Sequence, residues 1–341
     1  MSFFKNLKGL NTDSVFSSAK DMISGAAKRT ADELSNRMLR AIGIDDLNGI
    51  GMKLVFSQNL PKESDVRAIP PPVILDEGFL REVVLCAKLS DLVYEESEKR
   101  VYPENSGMVI FERKNVEGEQ IPFFIMKNDQ KKLFYLVCRG SWTFNDVKID
   151  IKGKPVEYNG GYVHKGVFAA STFVFDTSYQ ILQHLLVDYP DYRILVTGHS
   201  LGAGAASLVT MMMKLNCPTW NTYCICFAPP PVVSHNLHIQ TQQFVTSLIF
   251  EKDPVPYLSL KILTVMNISD SINNYVANNV KADLVPPGNM LHIRNEPNTT
   301  RYYVGRIEDM NYFAQLIDGL NESDHFMTKY IAALETFFDR V

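Results

Sequence analysis

The chain has 341 residues, 46% hydrophobic and 21% charged, enough to bury one large α/β domain or two smaller ones. Its net charge of −4 gives no overall attraction to nucleic acid or to an acidic surface. No apolar run approaches the ~20 residues that a membrane-spanning helix needs.

The first residues, MSFFKNLKGLNTDS, carry lysines but no continuous apolar stretch and no small-residue cleavage site, so no secretory signal is expected. Val15, Ala19, Met22, Ile23 and Ala26 fall at helical spacing, and Leu34, Met38 and Leu39 resume it. Residues 1–44 sum to +3 and the remainder to −7, so this arm reads as a weakly basic amphipathic helix. Two readings stay open for it: contact with a membrane or lipid-droplet surface or a partner, or packing on the rest of the chain. Pro70, Pro71 and Pro72 forbid a helix and mark a linker, dividing an arm (1–68) from a main domain (69–341). The five cysteines are odd in number, and three of them fall in predicted strands or a helix; reduced thiols and a cytoplasmic location are expected. Sequons at Asn267, Asn298 and Asn321 would matter only in a secreted chain.

Beyond the prolines, Leu80, Val83, Val84 and Ala87 predict a helix over 79–96. Runs at 108–112, 121–126 and 133–138 follow at short intervals, as antiparallel neighbours do. The pattern then alternates: helix (about 166–187), strand (193–197), helix (201–215), strand (222–228) and strand (244–250). An antiparallel start feeding a parallel series implies an α/β fold, with a mixed, mostly parallel sheet flanked by helices.

The stretch RILVTGHSLGAG places Ser200 between strand and helix with Gly198 and Gly202 on either side. A hydroxyl is a weak nucleophile at neutral pH and needs a base and an oxyanion stabiliser. A G-x-S-x-G turn supplies the steric part: the serine sits on a strained corner, and the glycines remove side chains that would clash there. The helix opening at Leu201 aims its first amides at any negative charge formed above Ser200. The rival reading of Gly202 to Ser207 as a dinucleotide loop fails because that run lies inside the helix instead of opening it, and no P-loop lysine follows.

Such a serine calls for an acid and then a histidine further along the chain. Asp253 follows the strand at 244–250 in a loop stiffened by Pro254 and Pro256; Glu251 is its local competitor, nearer the strand. His292 and His325 are the histidines that remain after it. His292 falls in a strand-like run, whereas His325 opens a terminal helix from the loop side and could reach across the carboxyl edge of a sheet. His199, beside the serine, is expected to pack or to bond locally rather than to act as its base.

With GHSLGAG, EKDPVPYLS and SDHFMTKY assembled, the chain resembles the class 3, fungal-lipase-like lipases of the α/β-hydrolase superfamily. Further likenesses are the stretch from Cys138 to Asp146, with Asp150-Ile151 after it, the stretch from Val163 to Val167, and that from Val285 to His292. The resemblance covers about residues 75–341 in consistent order. It implies Ser200 as nucleophile, His325 as base and Asp253 as the residue that orients it. It also implies an oxyanion hole from the backbone N–H groups of Leu201 and Ser141, with the Ser141 hydroxyl as a third donor, each worth roughly 2.7–4 kcal/mol. Residues 142–163 stand where such lipases keep a lid, and Trp142, Phe144, Val147, Ile149 and Ile151 make the segment apolar at alternate positions. The other reading is a strand or turn packed on the core. Gly153, Pro155, Gly160 and Gly161 break any long lid helix, a departure from the family pattern.

The expected function is hydrolysis of lipid carboxylic esters, acylglycerols first, with phospholipase A activity as the alternative. A catalytically idle interaction module or a membrane-binding protein that works through its arm are the rival classes. His235-x-x-His238 lacks a third ligand nearby, so neither a metal nor a cofactor is expected.

Overall fold

The computed structural model describes residues 72–114, 120–140, 155–257, 283–296, 299, 301–307 and 321–338. The arm at 1–68, Ser141 and the lid candidates Trp142, Phe144, Val147 and Ile149 lie outside the described residues.

The chain enters through Pro72, which bridges to Gly305, and then forms helix α1 (Glu77–Leu92), capped by the Asp76 carboxylate on the Phe79 amide. Strands β1 (Met108–Arg113), β2 (Phe123–Asn128) and β3 (Leu133–Cys138) form an antiparallel series. A hairpin follows, β4 (Pro155–Tyr158) and β5 (Gly161–His164), turned by Asn159 and Gly160, both at positive φ, as a two-residue hairpin turn requires. Helix α2 (Lys165–Asp188), strand β6 (Arg193–His199), helix α3 (Leu201–Asn216) and strand β7 (Thr222–Phe227) then alternate. After β8 (Val233–Ser234) and the short helix α4 (His235–Thr241) comes strand β9 (Val245–Phe250). The last elements are β10 (Leu284–Val285), β11 (Asn289–Asn295), β12 (Tyr302–Ile307) and helix α5 (Met327–Glu335).

The main sheet runs β1-β2-β3-β6-β7-β9-β11-β12. Its centre, from β3 to β11, is parallel, with antiparallel strands at both flanks. Central strands covered on both faces read as near-continuous apolar runs, and β3 (LFYLVC) is buried throughout. Phe134, Leu136 and Cys138 join one cluster with α2 and α3; Leu133, Tyr135 and Val137 join the other with α1 and α5. Helix α3 is buried from Leu201 to Met213, which explains why its run LGAGAASLVTMMM has no polar face.

A second sheet, β10-β8-β5-β4, is not evident in the sequence. The run from Val285 to His292 divides at Gly288, whose φ of +75° turns the chain from the small sheet into β11. The tail of the lid-candidate segment, 155–163, accordingly belongs to this small sheet.

Candidate active site

The carboxyl ends of β6 and β9 bring two turns together. Ser200 follows β6 directly with φ 58° and ψ −128°, a strained conformation for a residue with a side chain. Its amide is held by the Phe227 carbonyl at 2.9 Å. The flanking glycines are obligatory: a Cβ on Gly198 would stand 2.6 Å from the Gly202 backbone, and one on Gly202 would stand 2.7 Å from the Arg139 carbonyl carbon. Elbow and β3 therefore lie backbone against backbone, with the Cys138–Gly140 segment pressed against the corner. Leu201 is buried and opens α3, so its amide has no carbonyl four residues back inside the helix to bond.

His325 closes a single turn of 3₁₀ helix (Glu322–His325), and α5 begins two residues later. Its Nε2 lies 3.0 Å from Ser200 Oγ, and its Nδ1 lies 3.0 Å from each oxygen of the Asp253 carboxylate. Asp253 is fully buried. Its Oδ1 accepts from the Val255 amide at 2.9 Å, and its Oδ2 accepts from the Tyr330 hydroxyl at 2.8 Å. A buried carboxylate needs such donors in place of water.

Tyr330 has no counterpart among the residues selected from sequence. It is fully buried, and its oxygen also accepts the Phe250 amide at 2.9 Å, joining the end of β9 to the acid. Burial, and then the Asp253 charge, push its hydroxyl well above the usual tyrosine range, so it stays a donor. The available signal was a tyrosine five residues past His325 in SDHFMTKY.

Glu251 is not an alternative acid here: its carboxylate takes the Asn295 amide, and burial raises its pKa. His292 is buried in β11, with Nε2 2.7 Å from the Glu251 carbonyl. His199, expected to pack or to bond locally, is buried against the His325 ring and also bonds 126 residues along the chain: Nε2 is 2.9 Å from the His325 carbonyl, and Nδ1 is 3.3 Å from the Tyr94 hydroxyl. His238 is occupied at both nitrogens, by the Pro286 carbonyl and the Gln242 amide. Among the described residues no group of three or more potential metal ligands comes together.

Serine oxygen, imidazole and buried carboxylate in one hydrogen-bonded line can strip the serine proton during attack on a carbonyl and hold the resulting imidazolium. A family model described as "Lipase (class 3)" matches residues 135–263. Over those residues the chain is similar to the class 3 lipases. Diacylglycerol lipase-beta of Mus musculus is 29% identical over 150 residues, which are 41% of this chain and 22% of that protein. The chain thus spans about a fifth of that relative's length. The solved lipase of Rhizopus microsporus var. chinensis superposes with a TM-score of 0.59 at 18% identity, covering 78% of this chain and 93% of that one. A second solved structure is a triacylglycerol lipase whose catalytic centre is formed by a serine protease triad; its TM-score is 0.58 at 17% identity, over 75% of this chain and 96% of that one. The chain has the α/β-hydrolase fold, a mixed, mostly parallel sheet with flanking helices. No helix among its described residues is long and apolar enough to cross a membrane.

Proposed function

We propose that this chain is a serine hydrolase that cleaves the carboxylic esters of acylglycerols through an acyl-enzyme. The observation that carries the reading is the unbroken line from Ser200 Oγ to His325 to buried Asp253, with 3.0 Å at each step, on an elbow that only glycines permit. Ser200 attacks the ester carbonyl as His325 Nε2 takes its proton. Asp253 stabilises the imidazolium and fixes its orientation. The Leu201 amide, at the positive end of α3, is one donor to the oxyanion; Ser141 is assigned the second from the sequence resemblance. His325 then protonates the departing glycerol oxygen, and water repeats the cycle on the acyl-enzyme.

Support for a glycerolipid substrate comes from the relatives, one a diacylglycerol lipase and one a triacylglycerol lipase. The test is mass spectrometry of the fatty acids released from a panel of mono-, di- and triacylglycerols and phospholipids by wild type and by Ser200→Ala. Release from acylglycerols that vanishes in the variant is expected. Equal release by both proteins sinks the nucleophile assignment, and release from phospholipids alone sinks the substrate class.

A further inference from the structure

His199 contributes neither nucleophile nor proton to the line above, yet it touches the residue that bears the base. Its Nε2 faces the His325 carbonyl oxygen at 2.9 Å, and that oxygen can only accept. The proton of His199 therefore sits on Nε2, which leaves Nδ1 bare and ready for the Tyr94 hydroxyl at 3.3 Å. One tautomer satisfies both ends. The rings of His199 and His325 lie 4.4 Å apart, centroid to centroid, and His199 is buried. A charge on His199 would face the His325 carbonyl and the Tyr94 hydroxyl rather than a carboxylate, and would oppose the imidazolium that forms on His325. Burial, and then that neighbour, hold its pKa well below the ordinary histidine value.

We propose that His199 is a positioning residue for the general base: the neutral ring, oriented by Tyr94 on the segment after α1, pins the main chain of His325 to the elbow that carries Ser200. The geometry favours this over simple packing. Asp253 and Ser200 set the direction of the imidazole, but neither grips the backbone from which it hangs. His199 does so from the position next to the nucleophile, so the Ser200–His325 separation is fixed through one hydrogen bond. The inference rests on the hydrolase reading.

The experiment measures two rates on wild type, His199→Phe, His199→Gln and Tyr94→Phe: kcat and KM for p-nitrophenyl butyrate, and phosphonylation of Ser200 by a fluorophosphonate. In the second reaction the Ser200 Oγ–P bond forms as the P–F bond breaks, fluoride leaves, and the serine proton passes to His325. The rate therefore reports alignment of serine and base. His199→Phe removes the donor to His325, and a loss of about 10–100-fold in kcat and in labelling, at unchanged KM, is expected. His199→Gln keeps an N–H near the Nε2 position and is expected to recover most of that loss. If His199→Phe does not fold, Tyr94→Phe decides: a two- to fivefold fall in both rates at unchanged KM is expected, and wild-type rates overturn the proposal. Wild-type rates in a folded His199→Phe protein, or equal losses in the Phe and Gln variants, also overturn it. If wild-type Ser200 takes no label at all, the hydrolase reading fails and this inference with it. Labelling of wild type beside a fully active Phe variant removes this inference alone.

Discussion

The two halves of the candidate site are held in opposite ways. The elbow half, Cys138–Gly140 against Gly198–Gly202, is fixed by what is missing: Cβ atoms on its glycines would overlap backbone that cannot yield. The acid–histidine half, 250–257 against 321–330, is fixed by what is present. There Asp253 takes Tyr330, the Val255 amide and His325, while Asp324 takes Lys329, the Lys252 amide and Asn321. A wall of backbone tolerates no added atom, whereas a web of polar contacts tolerates swaps of similar shape and registers them as lost alignment. Substitutions in the first half should therefore show in folding, and those in the second in turnover, joined by a loss of stability where a buried partner is left unsatisfied.

The largest expected effect is on the polar side. Asp253→Asn keeps the shape but leaves His325 without its anion, and kcat should fall by about 10³–10⁴-fold while the melting temperature moves little. A melting temperature that collapses along with activity would mean that the acid holds the fold and not merely the base. On the steric side, Gly202→Ala forces a methyl against Cys138 and Arg139 backbone. Urea titration should show a loss of about 3 kcal/mol or more, with inactivity as a consequence of misfolding. A stable but inactive Gly202→Ala protein would erase the contrast between the two halves.

Tyr330→Phe tests the web at its most buried joint. It takes a donor from Asp253 and an acceptor from the Phe250 amide, both buried. Each group left unsatisfied costs about 1–3 kcal/mol, so stability and kcat should both drop, kcat by about tenfold, with KM held. An unchanged kcat would make Tyr330 a spacer only.

The same contrast explains what was legible in the sequence. The elbow is a local object: strand, G-x-S-x-G and helix fall within a dozen residues, so sterics alone nominate Ser200. Chain order nominated Asp253 and His325, and loop position separated His325 from His292. The web is non-local. The contact of His199 with His325 spans 126 residues and that of Tyr330 with Asp253 spans 77, and no periodicity encodes either. The small second sheet was hidden for a related reason. β8 and β10 are two residues each, too short to show alternation, and Gly288 splits what reads as one late strand.

The effect confined to the narrowest pH range concerns His292, which supports the acid-bearing turn from β11 through its bond to the Glu251 carbonyl. Its Nδ1 is buried without a partner, and burial lowers its pKa to about 3, with Arg294 adding to the shift. Below the unfolded value of about 6.5 the unfolded chain binds this proton and the folded chain does not, so the folded state loses ground as pH falls toward 3. Each unit in that window costs about 1.4 kcal/mol for this group, a few kcal/mol across the whole of it. His292→Gln retains a donor for the Glu251 carbonyl but has no proton to take up. Urea titrations at several pH values between 7 and 4 should give a shallower loss of stability in the variant. Because every other titrating group is common to both proteins, the difference in slope isolates this one histidine. Parallel slopes would mean that the folded protein opens enough around β11 to hydrate His292, and that the turn carrying Asp253 is less firmly held than its hydrogen bonds imply.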